Sequence, residues 1–283
     1  MSAVKSSPLF FRGLLVISLL VAFAALIAEF LYPEQQPLLE PFQAEAPDPL
    51  YSMPDYRHIT HVPWRKEAFF SALLPLVIYE NKYVAWQREQ LEKAYQALQE
   101  GRELTDQDQR MLEDIFAYYR VDWPTSDDDW AAVFRRVAPV PYDLVLMQGA
   151  KESAWGTSRF AQQGNNLFGQ WCFSEGCGLV PERRTPDMSH EVRLFASVQD
   201  SVRSYLRNIN THRAYRDLRH LRQQIQEAGG DPTGADLAPG LIHYSERRQA
   251  YVNEIIALIH SNWEDMEQAL ENYYREISAE YEE

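Results

Sequence analysis

The sequence predicts a mainly α fold with a small β lobe, and three features predict it. Apolar residues recur at helical spacing through most of residues 64–277. Between residues 165 and 194 that periodicity gives way to turn residues, a close pair of cysteines and the extended run HEVRLF. The 283 residues are 46% hydrophobic and 13% aromatic, ample for a buried core in one or two domains and incompatible with a disordered chain. Charge narrows the function classes. Twenty-seven Lys and Arg against 41 Asp and Glu leave a net charge of −14, the wrong sign for a general nucleic-acid binder. Residues 180–222 run against this trend, with nine Arg and five acids. Such a segment either faces an anionic ligand or forms a solvated basic face, the commoner case.

Taken in order, residues 1–32 hold an apolar run (13–32) that follows Lys5 and Arg12 and carries only one charge, Glu29. Its length suits a bilayer span. A basic leader before such a run predicts a signal anchor, with the N-terminus in the cytoplasm and the remainder outside the cytoplasmic membrane. A cleavable signal peptide is the alternative. Residues 33–63, rich in Pro, Gln and Glu, read as a tether. Residues 64–138 form a helical N-terminal region. Its first helix starts near Trp64, is interrupted at Pro75 and stops at Gly101. Thr105 caps a helix that runs to Tyr119, and WPTSDDDW starts a short one ending before Pro139.

Residues 139–263 carry the motifs. Pro141 opens a helix that ends at Gly156, and Gln148 and Glu152, four apart, share one of its faces. Thr157 and Ser158 can cap a short helix closed by Gly164. After the 165–194 lobe, helical periodicity is continuous from Ser197 to Ile225. GGDPTGADLAPG breaks it before a terminal helix, and residues 264–283 form an acidic C-terminal helix or tail. No internal repeat is present.

The stretch KESAWGTSRFAQQGNNLFGQW (151–171) sets one carboxylate, Glu152, beside Trp155 and Phe168. A carboxyl desolvated by such neighbours has a raised pKa and can act as a general acid near neutral pH. Cys172 and Cys177 frame FSEG, a spacing that a small-loop disulfide bridges in an oxidising compartment. Zinc is the weaker reading, since neither CxxC nor HExxH occurs and the seven His are scattered.

The 151–171 stretch resembles the signature of bacterial endo-β-N-acetylglucosaminidases, which typically carry Glu-Ser-Gly-Trp-Gly, a downstream Ser and Leu-Ala, then Asn-Asn-Leu-Phe-Gly. Glu152, Ser153, Trp155, Gly156, Ser158, Ala161, Asn165, Asn166, Leu167, Phe168 and Gly169 match, while Ala154 and Phe160 depart from the pattern. With its N-terminal span and helical region, the chain is most similar to Bax-type glucosaminidase-domain proteins. The resemblance implies a lysozyme-like domain and hydrolysis of the β-1,4 bond after N-acetylglucosamine in peptidoglycan, without cofactor or metal.

It also implies that Glu152 is the general acid. A second carboxylate is expected across the cleft, at Glu191 or alternatively Glu182. If neither serves, the substrate's own 2-acetamido group acts as nucleophile and a polar residue, for which Tyr244 is the candidate, orients the reacting groups. Trp155, Phe168, Trp171, Phe173, Tyr205 and Tyr251 are candidate sugar platforms. Asn166 is a candidate substrate contact, though a turn-shaping role suits Asn165 and Asn166 better. Arg183 and Arg184 are candidates for stem-peptide carboxylates. A lytic transglycosylase and an inactive wall-binding protein are the rival functions.

Overall fold

A computed structural model describes residues 37–182 and 189–280. The expected anchor and the candidates Arg183 and Arg184 lie outside them. Among the described residues no helix is long and apolar enough to cross a membrane.

The architecture is mainly helical with one small sheet. Its spine is α1 (Val62–Gln99), which opens with proline in its first turn and runs through Pro75 without a break. The expected interruption fails because Leu73, Leu74, Leu76 and Val77 around the proline are all buried. Burying each is worth roughly 1.5–3 kcal/mol, together more than the ~3 kcal/mol an internal proline costs. The first half of α1 lies in the larger of two cores, and its second half (Leu91, Ala94, Ala97) lies in the smaller one. That smaller core is completed by α2 (Asp106–Tyr119), entered through a Thr105/Asp108 capping box, and by α3 (Asp127–Arg136), capped by Ser126.

The larger core surrounds α4 (Tyr142–Ser153), whose residues from Asp143 to Ala150 are all buried, as befits a central helix apolar on most faces. Next comes the short α5 (Arg159–Gly164), capped by Ser158. The lobe then forms an antiparallel three-stranded sheet, with β3 (Glu191–Arg193) between β1 (Trp171–Cys172) and β2 (Gly178–Leu179). Trp171 pairs with Val192, Cys172 with Glu191 and Gly178 with Arg193.

Two expectations about helices are corrected. The helical run after the lobe divides into α6 (Val198–Thr211) and α7 (Arg216–Glu227), because His212 is extended. Arg219 Nη1 stabilises that break by donating to the carbonyls of Ile209 (2.8 Å) and His212 (2.9 Å). After α8 (Gly234–Leu237), the single terminal helix is instead α9 (Gln249–Ser261) and α10 (Trp263–Glu280), parted at Asn262. The tether is also more than a spacer. Leu39, Met53 and Tyr56 are buried, so its described part is folded onto both cores.

Candidate active site

The site is built at the end of α4. Three successive residues, Ala154, Trp155 and Gly156, are left-handed, with φ of 52°, 57° and 74°. That conformation is natural for glycine and strained for alanine and tryptophan. Ser153 holds the turn, its Oγ donating to Gly149 O (2.6 Å) and accepting from Gly156 N (2.7 Å). Packing holds the other side. Trp155 meets the edges of Phe69 and Phe70 at 5.6 and 5.7 Å. Met53 and Tyr56 lie so close to Gly156 that a Cβ there would come within 2.8 Å of Met53. Trp155 therefore acts first as the clamp of the turn on α1, not as an open sugar platform.

At the end of this helix Glu152 is half-buried against a group of tyrosines. Tyr205 Oη donates to Gln148 Oε1, Gln148 Nε2 donates to Tyr251 Oη (2.9 Å), and Tyr251 Oη donates to Glu152 Oε1 (2.9 Å). The direction follows from chemistry. An amide nitrogen can only donate, so Tyr251 accepts from Gln148 and gives its own proton to Glu152. With Oε1 serving as acceptor, a protonated Glu152 carries its proton on Oε2. Burial raises the Glu152 pKa, opposed by the Tyr251 bond and the Lys151 charge and reinforced by Glu254. Burial, followed by the charge of Glu152, pushes Tyr251 well above the ordinary phenol range, which keeps it a neutral donor. Beside the site, Glu254 is held down to about 2, chiefly by Arg247 (2.6 and 2.8 Å) and then by Lys151 (2.6 Å).

The other candidates separate by location. Tyr244 is near Glu152 but is not the tyrosine that hydrogen-bonds it: its hydroxyl donates to Phe168 O (3.0 Å) and its ring stacks on Tyr251. Phe168 and Tyr205 are buried and stacked on each other at 4.1 Å, so they wall the site and present no free face. Asn166 is buried, its Nδ2 donating to Gln170 O and Arg193 O (both 2.9 Å) and its Oδ1 accepting from Gln170 N (3.0 Å). Asn165 caps α5 in a left-handed conformation and donates to Tyr51 O (2.9 Å). Both asparagines shape the turn.

Glu191 is 6% exposed, and its two oxygens accept from Gly176 N (3.1 Å) and Gly178 N (2.7 Å), which turns it into the cysteine loop. Cys172 and Cys177 are joined in a disulfide, so their sulfurs offer no thiolate to a metal although Glu191 lies beside them. Glu182 is exposed, 3.8 Å from Arg159. Trp171 and Phe173 are the aromatics of the lobe that face outward, with Trp171 stacked on His190 at 4.0 Å. The residue underrated by sequence reasoning is Tyr251, read only as a platform. It and Tyr244 lie seven apart, and nothing local says which one meets Glu152.

Comparison with known proteins bears on this geometry. Residues 129–264 match the glucosaminidase family, described as mannosyl-glycoprotein endo-beta-N-acetylglucosaminidase. Protein bax of Escherichia coli (strain K12) is 31% identical over 214 residues, which cover 75% of this chain and 74% of that protein. No solved structure matches the chain.

Proposed function

The chain belongs to the Bax-type glucosaminidase-domain proteins, and from that premise we propose that it is an endo-β-N-acetylglucosaminidase cutting the β-1,4 bond after N-acetylglucosamine in peptidoglycan. The observation that carries this reading is Glu152, desolvated at the end of α4 and aligned by Tyr251. As the bond from C1 to the glycosidic oxygen breaks, Oε2 of Glu152 gives its proton to that oxygen. The inward placement of Glu191 favours the substrate's 2-acetamido oxygen as the group that attacks C1. Water then adds to C1, returns its proton to Glu152 and restores the acetamido group. Trp171 and Phe173, exposed at the lobe, are suited to stacking on the sugar faces of the strand.

Glu152→Gln keeps the side chain's size and removes the proton. Cleavage of isolated sacculi should fall by about 10²–10⁴-fold, with folding intact. Wild-type digests should carry reducing N-acetylglucosamine ends by mass spectrometry. Anhydromuramyl ends would assign a lytic transglycosylase instead, and near wild-type cleavage by the Gln variant would remove Glu152 from the mechanism.

We further propose that residues 1–32 anchor the chain in the cytoplasmic membrane, with the remainder in the periplasm. The basic leader, the apolar run and the disulfide support this. A reporter enzyme active only in the periplasm, fused after Gln36, should be active. Activity from a cytoplasmic reporter alone would reverse the assignment.

A further inference from the structure

Away from Glu152, a cavity of about 320 Å³ lies between α1, α3 and α7, lined by Arg88, Arg135, Arg219 and Arg222, with Gln223 and Glu227. Four guanidinium groups in one wall are unexpected in a chain of net charge −14. Their partners do not neutralise them. Arg222, 1% exposed, spends both Nη groups on neutral acceptors: Ala138 O (2.8 Å), Pro139 O (2.9 Å), Arg135 O (3.0 Å) and Asn210 Oδ1 (2.8 Å). Among the described residues Arg219 likewise bonds only to the carbonyls that end α6, and Arg135 Nε donates to Gln223 Oε1 (2.6 Å). Among the described residues Arg88 alone of the four has a carboxylate partner, Glu92; it also stacks on Phe134 and donates to the carbonyls of Phe134 and Val137. Glu227 accepts from Gln223 Nε2 (2.7 Å).

Carbonyls satisfy the N–H donors but leave the charge uncompensated, which is costly inside a protein. The groups also repel one another. Burial, followed by Arg136, Arg135 and Arg216, brings Arg219 down to about 10; burial, followed by Arg219, brings Arg222 down to about 9. A multivalent oxyanion would relieve both costs through its charge and through charge-assisted hydrogen bonds from Arg135 and Arg219, whose Nη2 groups donate to no other described residue. The volume suits a small molecule.

We propose that this cavity is a binding site for a small multivalent oxyanion, a polycarboxylate or a phosphate, separate from the Glu152 site. The test is titration calorimetry on the full-length chain with citrate, pyrophosphate and acetate at constant ionic strength. Citrate or pyrophosphate should bind one to one, at least tenfold tighter than acetate. Preference for citrate assigns a carboxylate ligand, and preference for pyrophosphate a phosphate ligand. Arg135→Gln, and independently Arg88→Gln, should weaken that binding at least tenfold while glycan cleavage stays at the wild-type rate. Arg222 is left intact because it is fully buried and all four of its Nη bonds hold the fold. Equal weak binding of all three anions, or unchanged binding in both variants, would overturn the proposal.

Discussion

At Glu152 the decisive balance is between burial, which favours the neutral acid, and the Tyr251 hydrogen bond, which favours the carboxylate. Burial wins, and the pKa lies above its ordinary 4.5. A general acid works while protonated, so cleavage should be intact below that pKa and decline as pH rises through it. Tyr251→Phe removes the bond that favours the carboxylate. Its basic limb should move to higher pH, with kcat several-fold lower because Oε2 loses its alignment. Tyr244→Phe, which loses only the bond to Phe168 O, should leave that limb in place. A pH profile of glycan cleavage separates the two, and identical limbs for wild type and Tyr251→Phe would dismiss Tyr251 as a positioning residue. The acid itself was legible because its cues are local: a helix end, an adjacent Trp and a sequence signature. Its partner was not, since Tyr251 stands 99 residues away and reaches Glu152 only through the packing of α9 on α4.

Element by element, caps were the most legible feature. Thr105 and Ser158 each accept the backbone N–H that their position predicts. Helix interiors were less so, because tertiary contacts override local rules: core burial carries α1 through Pro75, and Arg219 ends α6 from outside it. The lobe was recognised by what it lacked, helical periodicity, and its strand pairing depended on close backbone approach. A Cβ on Gly178 would lie 2.1 Å from Val192 O, closer than any side chain tolerates. Gly178→Ala should therefore push β2 from β3, lose the Gly178 N bond to Glu191, and cost about 1–3 kcal/mol in urea unfolding. Cleavage should fall too, since Trp171 rides on the same β3. Wild-type stability in that variant would show that the strands separate freely and that the glycine is incidental.

For the whole molecule, the segment between the apolar run and α1 changes meaning. Its composition reads as a spacer, and the described part holds no regular structure beyond a short 3₁₀ turn (Tyr56–His58), but that part is bound to the rest of the fold at several points. Leu38 N and Leu39 N donate to Asp108, Val198 N donates to Leu50 O, and Gln162 Nε2 donates to Pro54 O. Met53 and Tyr56 finish at Gly156, beneath the turn that carries Glu152. Composition cannot reveal this, because a proline-rich strap and a proline-rich tether differ only in what they touch. The two roles predict different truncations. Removing residues 1–36 leaves every described strap contact, so that protein should cleave isolated sacculi at the full-length rate. Removing residues 1–61 withdraws Leu39, Met53 and Tyr56 from the cores. The loss of one such large buried side chain costs about 2–5 kcal/mol, and the left-handed turn at Ala154 and Trp155 loses its backing. The shorter protein should unfold at markedly lower urea and cleave more slowly even where it remains folded. Equal midpoints and rates for the two truncations would return the segment to the role of a tether and leave α1 alone to support the catalytic turn.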